Sequence, residues 1–258
     1  MILDDILART RQTVAEAKTQ IPLADLEKLA RAAPPPRDFW GALRARPLAC
    51  IAEFKRRSPS AGWIREDADP ADIGPRYEAA GAAALSILTD EPFFGGRLED
   101  LRRARAATKL PLLRKDFMVD RYQVVEARAA GADAILLIVS ALSDDEIALL
   151  MAEAARWGLD VLVETHDAAE VRRALAAPAR MIGINHRDLR TFEVDTTLAV
   201  RMRPQIPPSR LLIAESGIKS ANDVSILRAA GINAILVGET LMRAPDPGVA
   251  LRGLLPPP

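Results

Sequence analysis

The chain has 258 residues, of which 49% are hydrophobic, so it can bury the core of one large α/β domain or two small ones and is too apolar to be disordered. Lysine plus arginine equals aspartate plus glutamate at 35 each, so no overall charge would draw the protein to nucleic acid or to an anionic membrane. Any anion-binding site must therefore be local. The N-terminus lacks a basic, apolar leader and no apolar run reaches the roughly 18 residues of a membrane span, so we expect a soluble, cytoplasmic protein.

The first 46 residues predict a helical extension packed on a larger domain. Apolar side chains recur there at helical spacing, as at Ile2, Ile6 and Val14. The extension divides into three helical segments, near residues 2–19, 23–32 and 37–43. We therefore assign residues 1–46 to this extension.

A regular alternation of short β-forming runs and segments with helical period fills residues 47–258. The predicted strands lie near residues 48–54, 83–88, 110–115, 134–139, 160–165, 181–185, 211–215 and 234–238. The predicted helices between them include residues 97–108, 121–130, 144–156, 167–177 and 220–230. Such alternation indicates a parallel sheet, and eight strands predict a (β/α)8 barrel that forms a single domain with the extension. A doubly wound open sheet is the alternative, but it usually has fewer strands and a glycine-rich turn after the first strand, which this chain lacks.

An internal repeat supports the barrel. The stretches 79–85, 129–135 and 229–235 are near-copies in which a helix ends at a glycine and leads straight into a strand. Their glycines lie 50 and then 100 residues apart. The repeat unit is therefore close to two strand–helix pairs.

Most predicted strands end in a charged or polar residue. On the first strand, Glu53 and Lys55 are two residues apart, so both project to the same face, where opposite charges need each other or a ligand. A structural ion pair is the alternative. The polar stretch 56–60 follows at once and marks the loop end of the strand, where barrels build their active sites.

Lys115 and Glu164 close the third and fifth strands. A lysine in a partly desolvated barrel mouth can have a lowered pKa and act as a general acid. A carboxylate in apolar surroundings is expected to have a raised pKa, which suits proton abstraction. The alternatives are a solvated charge cluster for Lys115 and a pair with a neighbouring lysine for Glu164.

Asn185, His186 and Arg187 end the sixth strand and offer hydrogen-bond donors for substrate oxygens. His166 and His186 could bind a metal ion together with Glu164. Metal-binding barrels normally draw ligands from several strands, and the first strand has no His-x-His pair, so we predict no metal site.

The last two strands end in turns that fit a phosphate group. Their residues are Glu215-Ser216-Gly217 and Gly238-Glu239-Thr240, and a helix is predicted after each turn. Glycine lets backbone N–H groups approach an anion, and helix N-termini favour negative charge. Barrels often bind phosphate at strands seven and eight, so the pair of turns predicts a phosphate ester, although two ordinary tight turns are the alternative.

The chain resembles the indole-3-glycerol phosphate synthase family from the N-terminal helices to about Met242. The matching stretches are Ile51-Ala52-Glu53-Phe54-Lys55-Arg56-Arg57-Ser58-Pro59-Ser60, Ala82-Ala83-Ala84-Leu85-Ser86-Ile87-Leu88-Thr89-Asp90, Leu113-Arg114-Lys115-Asp116-Phe117, Leu162-Val163-Glu164, Gly183-Ile184-Asn185 and Ala214-Glu215-Ser216-Gly217-Ile218. The resemblance implies a (β/α)8 barrel with extra N-terminal helices. It also implies a tryptophan-pathway lyase that converts 1-(2-carboxyphenylamino)-1-deoxyribulose 5-phosphate into indole-3-glycerol phosphate, carbon dioxide and water, with no cofactor or metal.

The resemblance also implies roles for individual residues. Lys115 would be the general acid in ring closure, Lys55 would hold the carboxylate or relay the proton, and Glu164 would stabilise positive charge on the anilino nitrogen or act as a base in the dehydration. Glu53 and Asn185 would orient the lysines and the sugar hydroxyls, with Ser216 beside them. The residues expected around the phosphate are Lys55, Ser58, Gly217, Gly238 and, through its backbone N–H, Glu239.

Phe93, Phe117 and Leu136 are candidates for an apolar slot that holds the anthranilate ring, and core packing is the alternative for the two phenylalanines. The chain departs from the family pattern at His186, where a second asparagine is common, and at Ala61, where lysine is frequent. Both departures lie beside the expected site.

Two other functions stay open at this point. A phosphoribosylanthranilate isomerase would need a cysteine base after the first strand, but Cys50 lies three residues before Glu53, inside the strand. A barrel that only binds a phosphate ligand would normally have lost its charged strand ends. The expected partner is a small phosphorylated substrate, with transient contacts to other tryptophan-pathway enzymes and no nucleic acid or membrane.

Overall fold

The computed structural model describes residues 2–188 and 191–255. Within them, eight parallel strands close into a barrel in which each strand pairs with its neighbours in chain order and the last pairs with the first, confirming the predicted (β/α)8 barrel. A short antiparallel hairpin lies in the loop after the first strand. The strands are β1 (Ala49–Phe54), β2 (Arg57–Ser58) and β3 (Gly62–Trp63) of the hairpin, β4 (Ala84–Leu88), β5 (Leu112–Lys115), β6 (Ala134–Ile138), β7 (Asp160–Thr165), β8 (Met181–Asn185), β9 (Leu211–Glu215) and β10 (Ala234–Val237).

Helices precede the barrel and connect its strands. The helices are α1 (Ile2–Gln20), α2 (Leu23–Ala32), α3 (Phe39–Arg44), α4 (Pro70–Ala79), α5 (Glu91–Phe94), α6 (Leu98–Ala107), α7 (Arg121–Ala129), α8 (Asp144–Arg156), α9 (Ala168–Ala176), α10 (Leu198–Met202), α11 (Ala221–Ala229), α12 (Glu239–Arg243) and α13 (Pro247–Leu254), with 3-10 turns at 139–141 and 203–205. The five predicted barrel helices agree with α6, α7, α8, α9 and α11 to within one residue at each end.

Capping residues explain why these helices begin and end where they do. Ser143 and Ser220 accept hydrogen bonds from backbone N–H groups in the first turns of α8 and α11. The glycine of each repeated stretch has a positive φ, as the predicted left-handed helix ends require. The prediction did not include α4, which contains two prolines; Pro70 lies at its start, where the missing N–H has no intrahelical partner to lose.

The barrel interior is an apolar column with a polar end. Alternate residues of each strand face inward, and the inward set includes Ile51, Leu113, Leu162 and Ile213, which pack in one cluster. The inward residues two positions further along the same strands are Glu53, Lys115, Glu164 and Glu215. Of the residues between them, Ala52, Val163 and Ala214 belong to the outer apolar cluster, and Arg114 forms an ion pair with Glu126 of α7. The charged residues therefore continue the inward rows at the carboxyl-terminal end of the barrel.

The helical extension contacts the barrel along its whole length. Phe39 of α3 is fully buried at the amino-terminal end of the barrel interior. Val14 of α1 packs against Tyr122 of α7. At the other end, the first turns of α1 bring Ile2 and Ile6 to the carboxyl-terminal mouth. Among the described residues, none of the helices combines the length and the hydropathy needed to cross a bilayer.

Candidate active site

A cavity of about 870 Å³ opens at the carboxyl-terminal end of the barrel. Twelve of the thirteen site residues predicted from the sequence line it. These twelve are Glu53, Lys55, Ser58, Lys115, Phe117, Leu136, Glu164, Asn185, Ser216, Gly217, Gly238 and Glu239. They come from seven of the eight barrel strands or the loops that follow them, so closure of the barrel is what brings them together.

Lys115 lies in the floor of the cavity among carboxylates. Its Nζ atom is 3.2 Å from Glu164 Oε2 and 4.0 Å from Glu215 Oε2. Burial by itself would lower the pKa of Lys115, but the charges of Glu164, Glu215 and Glu53 outweigh it and raise the pKa above the ordinary value. The expectation of a lowered pKa was wrong, because three acidic residues from other strands converge on this lysine.

Glu164 is almost completely buried and is held from several sides. Asn185 Nδ2 donates a hydrogen bond of 3.1 Å to its Oε1 atom, and Lys115 contacts its Oε2 atom. Burial raises the pKa of Glu164, but the charges of Lys115 and His166 and the hydrogen bond from Asn185 outweigh burial and lower the pKa below the ordinary value. The sequence-based expectation of a raised pKa was therefore also wrong, and Glu164 is an anion at neutral pH.

Glu215 has the raised pKa that was expected of Glu164. Burial is the main cause, followed by the negative charge of Glu164, and together they raise the pKa of Glu215 well above the ordinary value. Its Oε1 atom is buried and has no hydrogen-bond partner among the described residues. No catalytic role was predicted for Glu215, although this residue ends an apolar run just as Glu164 does.

Glu53 and Lys55 form the second charged pair of the site. Lys55 Nζ lies 3.0 Å from Glu53 Oε1, and Ser86 Oγ on the neighbouring strand donates a hydrogen bond of 3.4 Å to Glu53 Oε2. Both charged side chains line the cavity. The pair therefore belongs to the open end of the barrel and does not plug its opposite end.

Two glycines leave the space that the buried carboxylates occupy. A Cβ atom on Gly238 would collide with Glu53 Oε1, and one on Gly183 would collide with Glu215 Oε1. Gly183 lies within β8 and Gly238 directly follows β10, and at either position a larger residue would displace the carboxylate. Gly238 thus shapes the acidic floor, besides its predicted place near the phosphate.

One side of the mouth is lined by turns and basic side chains. Ser216 and Gly217 both have positive φ, at 67° and 74°, which is an uncommon backbone conformation for the serine. Arg187 Nη2 lies 3.8 Å from Glu239 Oε2, and Arg243 Nε lies 3.0 Å from Glu239 Oε1. The carboxylate of Glu239 is thus occupied by arginines, leaving its backbone for an anion. Arg187 was expected to donate hydrogen bonds to substrate oxygens, whereas Arg243 was not among the predicted site residues, although a basic residue near a glycine turn is a readable signal.

The opposite side of the mouth is apolar. Phe94 and Phe117 have ring centroids 6.0 Å apart, and Leu136 and the first turns of α1 extend the same wall. Among the described residues, Phe94 contacts the cavity and the predicted Phe93 does not. Asp90 caps the single turn of α5, and both phenylalanines pack against the interior cluster, but only Phe94 reaches the cavity. The sequence did not reveal which of the two successive side chains would do so.

The two histidines have other partners than a metal ion. His186 Nδ1 lies 2.9 Å from the carbonyl oxygen of Ser216, and His166 Nδ1 lies 3.1 Å from Glu170 Oε2. Within the described ranges, no group of three histidine, cysteine or acidic side chains has the geometry of a metal site.

The fold and the site define a class: a (β/α)8-barrel enzyme with lysines and carboxylates at the strand ends, a basic turn region on one side and an apolar wall on the other. The family model of indole-3-glycerol phosphate synthase matches residues 3–254. The chain belongs to the indole-3-glycerol phosphate synthase family, which consists of decarboxylating lyases of tryptophan biosynthesis.

Similar proteins agree with this family. An indole-3-glycerol phosphate synthase of Rhodopirellula baltica is 51% identical over 255 residues, and one of Acidithiobacillus ferrooxidans is 53% identical over 259; each alignment covers 98% of both chains. Among solved structures, 3-hexulose-6-phosphate synthase from Salmonella typhimurium has a TM-score of 0.61 at 14% identity, covering 80% of this chain and 96% of that one. That last likeness concerns the fold alone.

Proposed function

We propose that this barrel closes an indole ring: it converts 1-(2-carboxyphenylamino)-1-deoxyribulose 5-phosphate into indole-3-glycerol phosphate, with loss of carbon dioxide and water. The observation that carries the proposal is the position of Lys115, whose Nζ atom lies 3.2 Å from Glu164 Oε2 and 4.0 Å from Glu215 Oε2. This arrangement supplies a proton donor and a stabilising anion at one point of the cavity.

The two sides of the mouth suit the two ends of this substrate. The apolar wall around Phe94 and Phe117 accommodates the anthranilate ring. The turns at Ser216–Gly217 and Gly238–Glu239, together with Ser58, accommodate the phosphate. A substrate held at both ends would lie across the cavity and place its carbonyl group next to Lys115.

Ring closure is the first chemical step. The ring carbon that bears the carboxylate attacks the C2′ carbonyl carbon, a carbon–carbon bond forms, and the carbonyl oxygen takes a proton from Lys115. Positive charge then develops on the anilino nitrogen, and the Glu164 carboxylate stabilises it. Lys55, paired with Glu53, binds the substrate carboxylate until that group leaves.

Decarboxylation and dehydration complete the reaction. The bond to the carboxylate breaks, its electrons restore the aromatic ring, and carbon dioxide leaves. The hydroxyl on C2′ then departs as water after protonation, for which Glu215 and Lys115 are the nearest acids, and Glu164 accepts the proton lost from C1′. Asn185 keeps Glu164 in place through its hydrogen bond to Oε1.

The direct test is to incubate the purified protein with 1-(2-carboxyphenylamino)-1-deoxyribulose 5-phosphate, with a chelator and no added metal, and to follow indole fluorescence. We expect turnover that resists the chelator. Binding without any product would contradict the proposal and favour a barrel that only binds phosphate esters. Loss of turnover in the chelator, restored by metal, would contradict the metal-free chemistry.

The structure argues against the isomerase alternative. Cys50 is fully buried on the outward face of β1, and burial raises the pKa of its thiol to about 12. A thiol in that position cannot serve as a base in the cavity. Assaying phosphoribosylanthranilate isomerisation should therefore give no activity.

The cytoplasmic location and the transient contacts with other tryptophan-pathway enzymes belong to the same proposal. The supporting consideration is that a lyase of this pathway uses a small phosphorylated substrate made by another enzyme. Cell fractionation tests the location, and co-purification from a lysate after mild crosslinking tests the contacts.

A further inference from the structure

His166 occupies an unusual place beside the catalytic floor. It follows β7 directly, and its ring lies between two carboxylates: Nε2 is 3.3 Å from Glu164 Oε1, and Nδ1 is 3.1 Å from Glu170 Oε2. The Glu170 carboxylate also accepts a hydrogen bond of 2.8 Å from the backbone N–H of His166. His166 does not line the cavity, and the proposed chemistry assigns it no step.

The geometry determines the charge that this ring should carry. A neutral imidazole has one N–H group, whereas both ring nitrogens of His166 face carboxylate oxygens, which accept hydrogen bonds when they are ionised. Only the doubly protonated ring is attracted to both neighbours. The Nε2 contact is poorly aligned for a hydrogen bond, so its attraction is that of an ion pair.

The two carboxylates that face His166 both favour its protonated form. Glu164 faces it from β7 and Glu170 from α9, while Lys115 on β5 contacts the far oxygen of Glu164. Burial lowers the pKa of His166, but the contacts with Glu164 and Glu170 outweigh burial and raise it to about 10. The ring is thus charged throughout the neutral range.

We propose that His166 is a positioning residue that, as an imidazolium, holds Glu164 by Oε1 so that Oε2 remains on Lys115. Glu170 is the outer anchor that keeps the ring in place. This inference rests on the proposed function, because it gives His166 the task of maintaining the anion that stabilises the anilino cation. It also explains how Glu164 stays ionised beside the buried Glu215.

The charge state can be tested in the wild-type protein without any assay. The chain contains only two histidines, His166 and His186, so ¹⁵N labelling of histidine gives two sets of ring signals, which a His186→Asn variant assigns. At pH 7 we expect His166 to be an imidazolium. His186, whose pKa is lowered mainly by burial, should be neutral and serve as the internal reference. A neutral His166 ring at pH 7 would overturn the proposal.

Variants test the positioning role. His166→Gln keeps a donor but removes the charge, and we expect kcat to fall about 10- to 100-fold, as losing one charge-assisted contact predicts, with KM within about threefold. The acid limb of the kcat–pH profile should move to higher pH, because Glu164 loses a neighbouring cation. The kcat–pH profile of Glu170→Gln should show an alkaline limb at lower pH than the wild-type profile does. The reason is that the pKa of His166 falls when the outer carboxylate is replaced by a neutral amide.

Asp167→Ala is the structural control. Asp167 caps α9 and accepts a hydrogen bond from the Glu170 N–H, so its loss loosens the same helix start without removing the imidazolium. We expect lower thermal stability with an unchanged pH profile. His166→Gln with wild-type kcat and pH profile would refute the inference, whereas wild-type protein that forms no indole product would refute the proposed function and leave the NMR result to decide the charge of His166.

Discussion

At the scale of single residues, the site depends on how charge is shared among buried groups. Lys115 is an ammonium because the surrounding carboxylates compensate for its burial. Glu164 and Glu215 lie on neighbouring sides of that lysine, yet the pKa of Glu164 is lowered and the pKa of Glu215 is raised. Two carboxyl groups whose pKa values are pushed apart can serve as base and acid in the same cavity.

Replacing Lys115 should separate chemistry from binding. In Lys115→Ala we expect kcat to fall by about 10²- to 10⁴-fold, the usual contribution of a general acid. Affinity for a substrate analogue in which the carbonyl is reduced to an alcohol should stay within about tenfold, since Lys115 acts mainly on the developing alkoxide. Steady-state kinetics and titration of the analogue measure the two quantities.

Lys109→Ala is the matched control, because Lys109 is an exposed lysine shortly before β5. It should behave as wild type in both measurements. Lys115→Ala enzyme that retains more than a tenth of the wild-type kcat would contradict the acid role.

A second residue-scale prediction concerns the glycine beside Glu53. Gly238→Ala places a Cβ atom where the Glu53 carboxylate lies, so we expect a loss of about 1–3 kcal/mol of stability and a lower kcat, since Glu53 would move away from Lys55. Gly253→Ala in α13 is the control: nothing lies within 4 Å of the added Cβ, and it should be neutral or stabilising by up to about 1 kcal/mol. Urea unfolding and kinetics of both variants distinguish a clash from a general intolerance of alanine.

At the scale of elements, the one-turn helix α5 is important because it places Phe94 in the apolar wall of the cavity. Asp90 caps it by accepting hydrogen bonds from the N–H groups of Phe93 and Phe94. Burial raises the pKa of Asp90 to about 6, and the charge of Asp116 adds to that effect. The element thus depends on a buried carboxyl group that is costly to ionise.

Changes at Asp90 should loosen α5 and weaken substrate binding. Asp90→Ala removes the cap, and we expect a loss of about 0.5–2 kcal/mol of stability together with a higher KM. Ser143→Ala removes the cap of α8, away from the cavity, and should cost similar stability without changing KM. An unchanged KM in Asp90→Ala would contradict the role of α5 in the apolar wall.

The same position gives a pH-dependent prediction of defined sign. Because the folded pKa of Asp90 is raised, the group stabilises the fold below its unfolded pKa of about 4, and that stabilisation is lost as pH rises through about 6. Asp90→Asn keeps a good cap without the charge. Its Tm should therefore rise relative to wild type between pH 4 and pH 7, and a constant difference would contradict the assignment.

At the scale of the whole molecule, the barrel separates stability from activity along its axis. The amino-terminal end is closed by Phe39 and Leu43 of the extension, both nearly or fully inaccessible. The carboxyl-terminal end holds the cavity and the charged floor. This division is general for (β/α)8 enzymes, and here the extension contributes to both ends.

Two phenylalanine substitutions test that division. Phe39→Ala should cost about 3–5 kcal/mol of stability through the cavity it leaves, with kcat and KM unchanged in the protein that stays folded. Phe94→Ala, at a half-buried site in the active-site wall, should cost less stability but raise KM. Thermal unfolding and kinetics at a temperature below both transitions provide the comparison, and a reversed pattern would contradict it.

Much of this architecture followed from local sequence. The alternation of β-forming and helical segments predicted the eight strands, because hydrophobic period and glycine helix ends are properties of neighbouring residues. Strand-end residues such as Lys115 and Glu164 were recognisable because a charged side chain in a buried strand is unfavourable unless it has a partner. By contrast, the helix α4 with its prolines and the inward choice of Phe94 over Phe93 depended on caps and packing that the pattern did not reveal.

Sequence by itself determined the barrel, the identity of the family and twelve of the residues that line the cavity. The tertiary structure alone decided the pKa directions of the buried groups: those of Lys115 and Glu164 are opposite to the expected ones, and the pKa of Glu215 is raised. The reason is physical. Helical and strand periods arise from contacts between residues close in the chain, whereas a pKa depends on burial and on charges that reach a site from distant strands only when the barrel closes.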